Sequence, residues 1–317
     1  MNNFNIPVLF LIFNRLDTTK QVFEKIREAA PLKLYIASDG PRNNREGEDE
    51  KVKTVREYVI KSTDWNCDVK TLFREENLGC GKGPADAIKW FFEQVEMGII
   101  LEDDCVPSLS FFPYCEELLK KYHYNNSIYH IAGNNPLTLT KNYKDESYYF
   151  ARIQHCWGWA SWKRAWDYYS YDILELDDFI NKQKIKKIFN QKIVQDYWID
   201  IFRNMQEHKT DAWDYQWTYA IFKKGGLCIN PTKNLITNIG FNSDATHTLD
   251  NNSIFNNQER FEIDTIIHPK NIKIKTSLLN KINKIAFGIN CYDAIKAKIP
   301  YFIKAPIKNI LNRLRPL

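Results

Sequence analysis

The sequence predicts an α/β fold: an open, mixed but mostly parallel sheet, Rossmann-like in plan, with helices on both faces. Short apolar runs alternate with amphipathic stretches through the first hundred residues, which is the β-α-β-α order that parallel sheets require. The runs are too rich in isoleucine, leucine and valine, and too short, to be helix turns. At 317 residues and 44% hydrophobic content, the chain can bury a substantial core.

The first strand is predicted over 7–13, an apolar run too short to span a bilayer and without a basic leader or cleavage site. A helix over 18–29, a strand over 32–38, a helix over 47–61 and a strand over 69–73 follow. A glycine-rich loop then leads to a helix starting at Pro84 and running to 96, because proline suits a first helical position. The strand over 98–101 ends in Glu102-Asp103-Asp104. The second half is less regular. Strands are predicted over 128–132, 148–153, 227–229 and 235–239, with helices over 177–189, 191–207 and 215–222. Domain organisation is read as 1–265, divided into a nucleotide-binding half (1–104) and an acceptor-binding half (105–265), followed by a basic region over 266–317.

Ligands of open α/β sheets bind beyond the carboxyl ends of the strands, so the loops there carry the function. Three consecutive carboxylates repel one another unless a cation or donors compensate, and all-oxygen sets suit Mg²⁺ or Mn²⁺. Asp104 reads equally as a helix cap with Glu102 and Asp103 solvated. Arg15 directly follows the first strand, where a guanidinium can fork onto a diphosphate or pair with Asp17. Asp39, in Ser38-Asp39-Gly40-Pro41-Arg42, can accept a pyrimidine imide hydrogen or simply make a turn. The loop from Glu76 through Asn77 and Gly79 to Gly83 has glycines that let backbone approach a ligand, or that only make it flexible. It is neither a dinucleotide fingerprint nor a P-loop, which moves NAD and ATP hydrolysis down the order.

Composition narrows the partners. The net charge of +5 is asymmetric, since residues 270–317 carry 11 Lys and Arg against the single acid Asp293. Apolar and basic residues interleave over 299–304 and 307–314, a pattern that fits an interfacial helix on an anionic membrane, or a tail packed on its own domain. Nucleic acid is not an expected partner. The seven cysteines form no CxxC pair or zinc spacing, as in a reducing, cytoplasmic setting, and the expected location is the cytoplasm, including its periphery at the inner membrane face. Seven of the 9 Trp lie between Trp157 and Trp217. Their ring faces suit sugars, with Trp157, Trp159 and Trp213 the candidate stacking residues, or they fill a core.

Taken together, Asn14-Arg15, Ser38-Asp39-Gly40-Pro41-Arg42, Asn77-Leu78-Gly79-Cys80-Gly81 and Glu102-Asp103-Asp104 resemble the GT-A nucleotide-sugar glycosyltransferases, and among them the N-acetylglucosaminyltransferase I type and its bacterial relatives. The resemblance extends to Cys156-Trp157-Gly158-Trp159 and to Trp213-Asp214, covering roughly residues 5–250. It implies that Asp104 coordinates Mn²⁺ or Mg²⁺ on a donor diphosphate. Glu102 and Asp103 would bind sugar and ribose hydroxyls, Arg15 the phosphates and Asp39 the uracil. Asp214, among aromatic residues that raise a carboxylate's pKa toward working pH, is the candidate general base, and Asp211 its competitor. Either aspartate also reads as a helix cap. His247, in the polar loop beginning at Gly240, would reach a phosphate or the metal, or be structural. The glycines of the third loop replace bulkier residues of the animal enzymes.

The expected activity is inverting, metal-dependent transfer from a UDP-sugar, UDP-GlcNAc or a related hexose, to a saccharide or lipid-linked saccharide in surface polysaccharide synthesis. The rivals are a sugar-1-phosphate nucleotidyltransferase, whose glycine-rich loop after the first strand is absent here, and a non-catalytic carbohydrate-binding protein.

Overall fold

The chain builds β1 (Val8–Ile12), α1 (Leu16–Ala29), β2 (Lys33–Ser38), α2 (Glu48–Ser62), β3 (Asp68–Phe73), α3 (Gly79–Phe92) and β4 (Met97–Glu102) in the expected alternation. The second half adds β5 (Cys105–Pro107), α4 (Phe111–Lys121), β6 (Ile128–Ala132), β7 (Tyr148–Ala151), β8 (Trp159–Trp162) and α5 (Lys163–Trp166). After these come α6 (Leu176–Asn181), a 3-10 turn (Lys184–Lys187), α7 (Lys192–Gln206), α8 (Asp214–Lys224), β9 (Leu227–Pro231), β10 (Ile236–Asn238) and α9 (Thr276–Ala286). The structure is a computed structural model that describes residues 4–137, 146–241 and 256–289.

Eight strands form one sheet in the order β3-β2-β1-β4-β8-β6-β9-β7, and β5 pairs with β10 in a separate two-stranded ribbon. The neighbours β3, β2, β1 and β4 are mutually parallel, as are β6 and β9. Only β8 and β7 run against the rest. This is a Rossmann-like, mostly parallel sheet. The ends of β1, β2, β4 and β6 therefore open on one edge.

Alternation along each strand divides the core between the two faces. In β1, Leu9 and Leu11 join one apolar cluster, with α3, α5, α7, α8 and α9, while Val8, Phe10 and Ile12 join the other, with α1, α2 and α4. Covering both faces is why all five residues of β1 are apolar rather than alternating with polar ones. By contrast β3 lies at the sheet margin and keeps Asp68 and Lys70 exposed, which blunts a free edge.

Two expectations, the start of α3 and the 177–189 helix, are corrected, and two segments that the sequence left open are placed. The segment Trp159-Ala160-Ser161-Trp162 is a strand, β8, inserted between β4 and β6. Helix α3 begins at Gly79 rather than Pro84, so the glycine-rich segment is a helix turn and not a loop. The 177–189 helix is broken at Gln183, whose φ of +52° is incompatible with continuing an α-helix, into α6 and the 3-10 turn. The boundary at 265–270 does not separate a free tail. Leu278, Leu279 and Ile282 on α9 are buried in the same cluster as β1 and α8, and Phe287 meets Trp198 edge-on at 5.0 Å. The interleaved segments over 299–304 and 307–314 lie outside the described residues.

Candidate functional site

Strand β4 delivers Glu102 to the open edge of the sheet, and the chain turns through Asp103 and Asp104 into β5. Pairing of β5 with β10 places Asn238 opposite Cys105 and lets the Ile239 amide donate to the Asp104 carbonyl at 2.9 Å. Arg15, between β1 and α1, reaches this turn from the neighbouring strand. Its Nη2 donates to Asp103 Oδ1 and, at 2.9 Å, to Asp104 Oδ2. The Thr19 hydroxyl, at 2.6 Å, and the Thr18 hydroxyl, at 3.2 Å, both donate to the Arg15 carbonyl and fix the backbone from which the guanidinium extends.

The acids are poorly solvated. Asp103 is 4% exposed and its Oδ2 has no hydrogen-bond partner among the described residues. Burial pushes its carboxyl up to about 6, against the lowering pull of Arg15. Glu102 is held well above the ordinary carboxylate range, by burial first and then by the charges of Asp104, Asp103 and Asp214. Asp214, at the start of α8, is thus near enough to Glu102 for its charge to be felt there, and its Oδ2 faces Cys156 Sγ. Two thiols complete the wall: Cys105 donates to Asp104 Oδ1 at 3.3 Å, and Cys156 Sγ lies 4.0 Å from Asp214 Oδ2. Burial raises both thiols well above their ordinary range, so they are inert here.

The β2 side of the edge is less open than the sequence implies. Asp39 Oδ2 accepts the amides of Leu78, at 2.8 Å, and Gly79, at 3.1 Å, and so caps α3. Its Oδ1 is buried and unpartnered among the described residues. Burial raises the Asp39 pKa, opposed by those amides. Asn77 donates to the Gly40 carbonyl at 2.7 Å and ties one loop to the other. Gly79 and Gly81 are glycines because protein carboxylate fills the space where a side chain would sit, not because a ligand approaches. A Cβ on Gly79, at φ +84°, would lie 2.6 Å from Asp211 Oδ2, and one on Gly81 2.5 Å from the Tyr171 hydroxyl. Asp211 itself accepts the amides of Cys80 and Gly81, each at 2.9 Å, and the Tyr171 hydroxyl at 3.3 Å. Both its oxygens are thus engaged in capping the first turn of α3.

Two of the three stacking candidates are corrected. Trp159 is fully buried, 5.0 Å from the His130 ring on one side and stacked 5.6 Å from Trp213 on the other. Trp213 is 5% exposed, and Trp166 packs face-to-face on Tyr169 at 4.1 Å in the same cluster. These rings form a core that anchors the residue preceding Asp214. Trp157 alone is half-exposed, edge-on to Phe241 at 5.7 Å, and sits beside the site through its neighbour Cys156. His247 lies outside the described residues.

One site residue escapes a sequence reading. Gly240 follows β10, and a Cβ there would lie 2.8 Å from Asp104 Cγ and 3.1 Å from Arg15 Nη1, closer still to Asp104 Oδ2. Only the contact across β5 and β10 shows why glycine is required. The polar, glycine-led loop was the one local signal.

Among the described residues no group of three metal-ligating side chains is preassembled. Small hard cations commonly take one or two carboxylates and complete their shell with substrate phosphates and water. Asp103, with its orphaned buried oxygen, and Asp104 fit that pattern.

The fold and this edge define an α/β protein with a Rossmann-like sheet and an acidic turn at its ligand-binding margin. No family model and no curated protein matches the sequence. Among solved structures, the inositol-1-phosphate CTP transferase from T. maritima is similar at 11% identity and a TM-score of 0.40, over 80% of this chain and 95% of that one. The glycosyltransferase GlyE of Streptococcus pneumoniae TIGR4 gives 12% and 0.34, over 72% of this chain and 45% of GlyE. HddC from Yersinia pseudotuberculosis gives 10% and 0.31, over 50% and 77%. Likenesses this distant assign no activity, which is argued below from the residues. No helix among the described residues is long and apolar enough to cross a membrane.

Proposed function

We propose that this chain is a metal-dependent glycosyltransferase that moves a sugar, with inversion, from a UDP-sugar to a hydroxyl of a saccharide or lipid-linked saccharide. The observation that carries the reading is the acidic turn Glu102, Asp103 and Asp104 at the carboxyl end of β4 with Arg15 bonded to Asp103 and Asp104, and with Asp214 close enough for its charge to act on Glu102. Asp103 and Asp104 would hold Mn²⁺ or Mg²⁺, which supplies positive charge for the departing diphosphate. Arg15 adds a second positive charge that can turn from the carboxylates to a phosphate. Asp39 offers Oδ1 to the base, Glu102 faces the sugar hydroxyls, and Asp214 takes the acceptor proton. A single displacement needs no protein nucleophile, and the nearby thiols are held protonated by burial.

The carbohydrate-binding alternative loses support because Trp159 and Trp213 present no exposed ring face. The nucleotidyltransferase alternative lacks a glycine in Asn14-Arg15-Leu16-Asp17. An association with anionic membrane rests on segments outside the described residues. The direct test is calorimetric titration of UDP with Mn²⁺ and with EDTA, in the wild type and in Asp104→Ala. Metal-dependent binding lost in the variant supports the reading. Absence of UDP binding in the wild type under both conditions rejects it.

A further inference from the structure

The first turn of α3 exposes backbone amides that no helical carbonyl can satisfy. Two carboxylates divide them: Asp39 takes Leu78 and Gly79, and Asp211 takes Cys80 and Gly81. Asp39 belongs to the β2 end, whereas Asp211 arrives from the segment between α7 and α8, 130 residues beyond Gly81. Gly79 and Gly81 leave the room this joint needs, and Tyr171 donates to Asp211 from a third segment. Two residues beyond the joint, Trp213 is locked on Trp159 of β8, and the next residue is Asp214. The segment that leads into Asp214 is thus fixed at two points, by Asp211 on α3 and by Trp213 on the sheet.

We propose that Asp211 is a positioning residue that pins the Asp214 segment to the nucleotide-side helix α3, so that the proton acceptor is held at a fixed distance from the donor sugar. The proposal rests on the glycosyltransferase reading for its catalytic consequence, but the joint itself does not. Asp211 touches no reacting atom. Its carboxylate, exposed on its outer side, is recruited by the helix N-terminus, where negative charge is favoured.

Asp211→Asn preserves size but leaves one amide facing an amide NH₂ group. Expected are at least tenfold slower turnover of the UDP-sugar donor, an unchanged donor dissociation constant, and faster amide hydrogen exchange in peptides covering 80–82 and 212–216. Gly81→Ala, which forces a methyl group into the same joint, should act alike, and the double variant should be no slower than the single ones because both break one contact. Unchanged turnover with accelerated exchange would overturn the positioning role, as would a parallel fall in donor affinity. If the wild type turns over no UDP-sugar, the glycosyltransferase reading fails. The joint is then judged by exchange alone, and unchanged protection in Asp211→Asn overturns it.

Discussion

Replacing Gly240 by alanine should disable the site while leaving the fold intact. The new methyl would sit 2.8 Å from Asp104 Cγ and 3.1 Å from Arg15 Nη1. Ordinary contact needs about 3.5 Å, so Asp104 Cγ or the backbone must move by at least about 0.7 Å, and Asp104 Oδ2, which is nearer, by more. Retreat of the backbone is opposed by the Gly240 amide bonded to Asn238 Oδ1 at 2.8 Å and by the Ile239 amide bonded to the Asp104 carbonyl at 2.9 Å. The carboxylate is therefore the part that gives way, and it takes its bond to Arg15 with it. Overpacking of this kind costs ~1–3 kcal/mol of stability. A carboxylate displaced by that much should weaken metal-dependent UDP binding by at least tenfold, about 1.4 kcal/mol. The assay is UDP calorimetry with Mn²⁺ beside a thermal melt. Gly225→Ala is the control, since its Cβ meets nothing within 4 Å and its φ of +67° adds only backbone strain far from the acids. UDP binding and melting temperature both at wild-type values in Gly240→Ala would refute the reasoning.

Other substitutions separate core from site. Trp159→Ala should cost ~3–5 kcal/mol in urea unfolding through loss of a buried ring, whereas Trp157→Ala should barely change stability and should weaken saccharide binding. Arg15→Met leaves Asp103 buried beside Asp104 without a cation, so it should destabilise by ~2 kcal/mol, and Mn²⁺ should raise its melting temperature more than that of the wild type. Burial pushes His130 down to about 3 and His155 to about 4, so both are neutral in the folded protein while the unfolded chain protonates below about 6.5. Their contribution is complete above that pH and is lost as pH falls through the window from about 6.5 to 4, at up to about 1.4 kcal/mol per pH unit for each histidine. Urea unfolding at pH 7 and 5.5 measures the slope, and His155→Asn should halve this part of it.

What the sequence revealed depended on how local the governing contacts are. Strands β1 and β4 declare themselves because each is a mostly apolar run buried on both faces, β3 shows only a short apolar signal because it lies at the sheet margin, and the acids at the end of β4 stand out because nothing local compensates them. The start of α3 was hidden because its capping carboxylates come from Asp39 and Asp211, distant in sequence, so Pro84 looked like the natural beginning. The tryptophans of β8 were ambiguous because a ring face that stacks a sugar and one that stacks His130 carry the same signature in one dimension. Helix α9 was obscured by charge: its basic residues face outward while Leu278, Leu279 and Ile282 pack inward. Gly240 required knowledge that β10 pairs with β5.

The proposed role of the acidic turn after β4 as a cation and nucleotide-diphosphate site is tested by a crystal structure with UDP and Mn²⁺, using the anomalous signal of manganese. The expected result is a manganese peak against Asp103 and Asp104, the diphosphate between that peak and Arg15, and the uracil at Asp39. Manganese or UDP bound elsewhere, with Arg15 still closed on the two aspartates, would contradict it.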